Sequence, residues 1–165
     1  MTAPPPAFER QNWWRRARTR LFHLAFLVKR PMTFGVRAVV HDREANAVFL
    51  IRHTYVAGWQ FPGGGVETGE TALEALGREL FEEANIEIEA PPVLRSLHLN
   101  RQASRRDHVA VYLVETYRQR GPKQPDFEIA EAGFFPLDAL PAATTSGTRR
   151  RLAEIFGGEP PSAEW

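Results

Sequence analysis

Through residues 33–137 apolar positions alternate with polar ones or run unbroken for a few residues, the pattern of half-buried and buried strands. Residues 34–41 (FGVRAVVH) and 47–53 (AVFLIRH) are β-rich runs joined by a turn-like DREAN stretch, so they are expected to pair antiparallel. Residues 58–62 (GWQFP) form a short extended piece that feeds Gly63-Gly64-Gly65. Further strands are predicted over 93–99, 108–116 and 128–137. A polar, arginine-rich connection over 100–107 and a Gly/Pro-containing loop over 119–127 separate them. Two stretches change to the helical period, one from Thr71 to Ala84 and one over 146–156. Strands around one strongly amphipathic helix, closed by a second, predict an α/β architecture with a mixed sheet covered on both faces.

The first helix carries the chemistry. Thr71 followed three residues later by Glu74 reads as a capping box, and Asn85 suits the left-handed stop at the other end. At about 100° per residue, Leu73, Leu76, Leu80 and Ala84 share a face beside Gly77, and that face is expected to be buried. Opposite it, Glu79, Glu82 and Glu83 lie within an arc of about 100°, where like charges destabilise one another. Ala72 and Ala75 are the small neighbours placed near this arc, leaving an open floor. Hard oxygen ligands with room above them suit Mg²⁺ or Mn²⁺, which keep waters and meet substrate phosphates. A merely solvated acidic face is the competing explanation.

The longer spacing favours the metal. Gly64 is followed by five residues and Glu70, then by seven residues and Arg78-Glu79-Leu80-Phe81-Glu82-Glu83-Ala84-Asn85-Ile86. This resembles the signature of the Nudix hydrolases, in which a glycine, a glutamate, an arginine-glutamate pair, two adjacent glutamates and a closing glycine stand at these intervals. One specified position departs from it: Asn85 stands where the family has glycine, and Asn is the usual second choice for that conformation.

The resemblance implies a Nudix α/β/α sandwich over about residues 33–157, with the glycine loop and helix beside the substrate's diphosphate. It implies Mg²⁺-dependent (Mn²⁺ as the alternative) hydrolysis of a pyrophosphate bond in a nucleoside diphosphate derivative. On this basis Glu79, Glu82 and Glu83 match the metal-binding positions, and Arg78 the arginine that orients them. Glu74 is an alternative i,i+4 partner for Arg78, and Glu70 is expected to support the site from behind. The catalytic base is assigned to Glu128, six residues before Phe134, with Glu131 as the fallback and Glu83 as a third option. Gly63 and Gly64 are expected to approach the substrate. Arg52, at a strand end, is a candidate phosphate contact, against the plain alternative of an exposed arginine. Trp59, Tyr55, His98 and Arg101 are candidates for contacting a base or sugar, or else packing residues. No second motif selects among ADP-ribose, dinucleoside polyphosphates, coenzyme A or oxidised nucleotides.

Composition narrows the remaining classes. The 165 residues suit one catalytic domain, and a net charge of +1 sets up no global field towards nucleic acid or membrane. Zero cysteines remove disulfides and thiolate chemistry, and fit a cytoplasmic setting. Residues 1–31 differ in texture: a Pro-rich tip, then Trp13-Trp14-Arg15-Arg16, then an eight-residue, mostly apolar run ending before Lys29-Arg30-Pro31. That run is too short to span a bilayer. A helix between residues 12 and 31 is expected, outside the Nudix fold, docking on the domain or on a partner subunit in a homodimer. The division expected is therefore 1–31 as an extension, 32–158 as the domain and 159–165 as a tail. No stable nucleic-acid or membrane partner is expected. The competing functions are a catalytically silent nucleotide-binding module and a membrane-surface binder using the Arg15–Arg20 cluster.

Overall fold

The computed structural model describes residues 32–165; the expected N-terminal helix lies outside the described residues. β1 (Thr33–Asp42) and β2 (Ala47–His53) form the antiparallel hairpin the sequence predicts. Its turn closes because the Asp42 carboxylate accepts the N–H groups of Glu44 and Ala45, and Asn46 takes a left-handed φ of 47°. The pairing is brief. His41 faces Val48 and Asp42 faces Ala47, and then the two strands part.

What each strand does after parting makes the site. β2 continues with β3 (Trp59–Gln60) on the edge that β1 has left, and with β8 (Ile129–Pro136) along its other edge. β1 runs parallel to β6 (Asp107–Val114), which pairs antiparallel with β5 (Val93–Leu99). The freed edge of β1 takes up the glycine loop instead. Val36 N–H donates to the Gly64 carbonyl (2.9 Å), Ala38 N–H to the Pro62 carbonyl (2.9 Å), and Val66 N–H to the Phe34 carbonyl (2.8 Å). The loop is thus held by backbone ladder bonds inside a split in the sheet.

Alternation along β1 and β2 builds a core on each side of the sheet. Val36, Ala38, Val40, Phe49 and Ile51 meet Leu76, Leu80 and Ala84 of α1 (Ala72–Ala84). Val39, Val48, Leu50, Trp59 and Phe61 meet Leu152 of α2 (Ser146–Phe156). This is the expected α/β/α sandwich with a mixed sheet. Two strands went unpredicted, β4 (Ile86–Ile88) and β7 (Tyr117–Gln119), which pair only with each other. Residues 162–165 return onto the fold: Leu99 N–H bonds the Ala163 carbonyl, and Trp165 lies under the buried Arg151, 5.5 Å from its guanidinium. Among the described residues no helix is long and apolar enough to cross a membrane.

The buried face of α1 is rotated from the one expected. Leu73 is 51% exposed, whereas Ala75, Leu76, Leu80, Glu83 and Ala84 are buried. The helix lies over the glycine loop, so its contact arc turns towards the glutamates and takes Glu83 inside.

Candidate active site

Local bonds fix the start of α1. Thr71 Oγ1 accepts the Glu74 N–H (3.2 Å) while Glu74 Oε2 accepts the Thr71 N–H (2.8 Å), a complete capping box. Glu74 is therefore committed to the cap, and Arg78 turns to other partners. Its Nε and Nη2 grip Glu70 at 2.9 and 3.2 Å, and Nη2 also reaches the Gly65 carbonyl at 3.2 Å. Its Nη1 donates to Glu79 at 2.8 Å and to Glu82 at 3.4 Å. One planar guanidinium so ties the loop to two helix carboxylates, a fork geometry that lysine lacks. Arg78 also holds the Glu70 carboxyl below its usual range.

The three helix glutamates descend from rim to interior. Glu82 is exposed on the rim, Glu79 is partly buried, and Glu83 is 4% exposed. Glu83 Oε2 accepts the Gly63 N–H at 2.6 Å. Burial pushes the Glu83 carboxyl up to about 7, against the pull of the Gly63 N–H and the Arg37 charge. Burial also raises Glu79, with Arg78 opposing it. The glycines fit this crowding. A Cβ on Gly64 would lie 2.2 Å from Glu79 Oε1, and one on Gly63, whose φ is 135°, would lie 2.2 Å from the Val36 carbonyl oxygen. The open floor expected beside Ala75 is absent, because Ala75 is fully buried in the core.

The far wall comes from β2 and the segment before β8. The register of these strands shifts between Arg52 and His53: Arg52 faces Glu131, but His53 faces Ile129, so Ala130 is skipped. Beyond the bulge Thr54 N–H bonds the Glu128 carbonyl at 2.9 Å, and Tyr55 Oη donates to Glu128 Oε1 at 3.0 Å. Glu128 is thereby brought to the helix glutamates. One ligand atom from each of His53, Glu83 and Glu128 lies within 4.8 Å of the other two. Nearby, Arg37 of β1 is half-buried, and its Nη1 is buried without a partner among the described residues. It borders a cleft of about 250 Å³ lined also by Gly35, Gly64, Gly65, Asn100 and Asp107.

A NUDIX domain family model matches residues 31–155, which takes in the split sheet, the glycine loop and both helices described above. The chain belongs to the NUDIX family. Among curated relatives, an RNA pyrophosphohydrolase of Francisella tularensis is 42% identical over 59 residues, 36% of this chain and 38% of that protein. An RNA pyrophosphohydrolase of Xanthomonas campestris is 48% identical over 48 residues, 29% and 23% of the two chains. The chain therefore spans well under half the length of these curated relatives. The MutT NUDIX hydrolase structure from Burkholderia pseudomallei superimposes with a TM-score of 0.65 at 25% identity, covering 75% of this chain and 98% of that one. An ADP-ribose pyrophosphatase from Streptococcus suis gives a TM-score of 0.60 at 22% identity, covering 81% and 96%, a likeness of fold.

Within this NUDIX domain the residues singled out from sequence fall into two groups. Arg78, Glu79 and Glu82 are joined by hydrogen bonds, Glu79 and Glu83 lie against Gly64 and Gly63, and Glu128 comes close to Glu83. Arg52 and Trp59 stand apart from them. Arg52 shares a strand face with Leu50, away from α1, and is ion-paired with Glu131, which occupies the fallback base as well. Trp59 is buried edge-on against Phe135 with ring centroids 4.7 Å apart. His98 is buried and bonded to Ser96 and the Ser162 carbonyl, and Arg101 pairs with Glu164. Sequence reading missed Arg37 and His53. A charged residue amid the apolar run of β1 was the available signal for the first, and a histidine closing β2 just before the loop for the second.

Proposed function

We propose that this NUDIX chain is a divalent-metal-dependent hydrolase of a phosphoanhydride bond in a nucleoside diphosphate linked to a further group. The observation that carries the reading is the approach of Glu128 to Glu83, which is buried and weakly acidic, on the helix where Arg78 joins Glu79 and Glu82. Burying carboxylates together is costly unless positive charge compensates them, so the donor set fits a hard cation. Glu79, Glu82 and Glu83 would hold Mg²⁺ or Mn²⁺. Such an ion, when bound, neutralises phosphate oxygens and lowers the pKa of a water.

The chain's own groups supply the rest. Arg78 fixes the carboxylates of Glu79 and Glu82, and the Gly63 N–H fixes one oxygen of Glu83. Glu128, steadied by Tyr55, accepts the proton of the attacking water. Arg37, half-buried beside the cleft, offers a cation to a phosphate or to a polar edge of the substrate. The silent binding module is disfavoured because every carboxylate of the signature, Glu70, Glu79, Glu82 and Glu83, is present.

The test is a substrate panel with Mg²⁺: ADP-ribose, a UDP-sugar, nucleoside triphosphates, a dinucleoside polyphosphate and a 5′-triphosphorylated RNA, the last because relatives are named RNA pyrophosphohydrolases. Turnover of at least one, abolished by EDTA and reduced about a hundredfold or more in Glu83→Gln, is the expected result. Folded protein that binds a nucleotide but turns over none would make it the binding module.

A further inference from the structure

We propose that His53 supplies a nitrogen ligand to a divalent cation shared with Glu83 and Glu128, so that this chain has one mixed nitrogen–oxygen metal position. The inference rests on the metal-dependent reading above, adds His53 to it, and gives Glu128 a second role as a ligand beside that of base. The ligand atoms of the three residues lie within 4.8 Å of one another. Two donors on one ion at about 2.1 Å can be no more than about 4.2 Å apart, so closure on an ion asks for sub-ångström side-chain shifts.

His53 has no better use for its ring. Its side chain is only 8% exposed. Its Nε2 stands 3.7 Å from Glu83 Oε1, too long for a hydrogen bond, and its Nδ1 is buried without a partner. Nε2, the nitrogen that faces Glu83, thus makes no hydrogen bond among the described residues and is the one free to take an ion. The ring is also held in place. It lies against Tyr55, centroids 5.1 Å apart, and the Tyr55 hydroxyl steadies Glu128 at the same time. The β-bulge that skips Ala130 is what sets His53 and Glu128 side by side. Carboxylates alone suit Mg²⁺, whereas an imidazole draws the site towards Mn²⁺, Co²⁺ or Zn²⁺.

The experiment is pulsed EPR of Mn²⁺ bound to the full chain, with calorimetric titration of MnCl₂ and MgCl₂ alongside. Nitrogen coupling to Mn²⁺ is expected, changed in the protein labelled with ¹⁵N-histidine and lost in His53→Gln. Mn²⁺ affinity should fall about tenfold or more in that variant, with Mg²⁺ affinity little altered. Labelling leaves the fold untouched, so even if His53→Gln unfolds, a spectrum unchanged by the label shows that no histidine binds the ion and overturns the proposal. Mn²⁺ bound without nitrogen coupling, or coupling that survives in folded His53→Gln, would overturn the role of His53 and leave the proposed hydrolase standing. Uptake of neither ion would overturn the hydrolase reading as well.

Discussion

Glu83 shows the tension between stability and function in a single side chain. It is buried, accepts the Gly63 N–H and is pushed up to about 7, while an unfolded chain would hold it near the usual glutamate value. Below the unfolded value both states are protonated and the group costs nothing. From that value up to about 7 the unfolded chain gives up the proton that the folded one keeps, so stability falls progressively, and the loss is complete above about 7. In metal-free protein, Glu83→Gln should therefore raise stability by about 1–3 kcal/mol at pH 8, with the gain vanishing towards pH 4. Chemical denaturation across that range checks it; a variant less stable at pH 8 would mean that the ionised carboxylate is welcome in the fold. The carboxylates of the signature and Arg78 were legible as residues because their spacing is local. Arg37 and His53 were not, since their proximity to Glu83 is created only when β1, β2 and the helix come together.

At the scale of elements, α1 was readable at its ends and misread around its girth. Its boundaries depend on Thr71, Glu74 and Asn85, whose bonds and left-handed φ of 54° are made within a turn of chain. Which face is buried depends on what the helix lies against, and periodicity alone placed Leu73 inside when it is half exposed. Leu76→Ala and Leu80→Ala should each cost about 2–5 kcal/mol, whereas Leu73→Ala should change stability by less than about 1. Equal losses at Leu73 and Leu76 in urea melts would restore the original face. β4 and β7 escaped notice for a different reason: three residues are too few to display a period.

For the molecule as a whole, the sandwich followed from counting strands and helices, but the split in the sheet did not. β1 leaves β2 after two registered pairs, and the Gly63–Gly64 backbone fills the gap against it. That arrangement holds the loop rigidly beneath α1, so that Glu79 meets Gly64 and Glu83 meets Gly63. Arg52 and Trp59 looked suited to substrate because they flank this loop in sequence, yet the strand geometry commits one to Glu131 and the other to the core. The same long-range geometry delivers Glu128 from the opposite end of the domain. The function proposed for these acid groups is to hold divalent cations against a phosphoanhydride. Calorimetric titration of Mg²⁺ into the full chain, alone and with ADP present, tests this most directly. Uptake in the wild type, strengthened by the nucleotide and abolished in a folded Glu79→Gln/Glu83→Gln double variant, is the predicted result; equal heats from both proteins, or none from either, would contradict it.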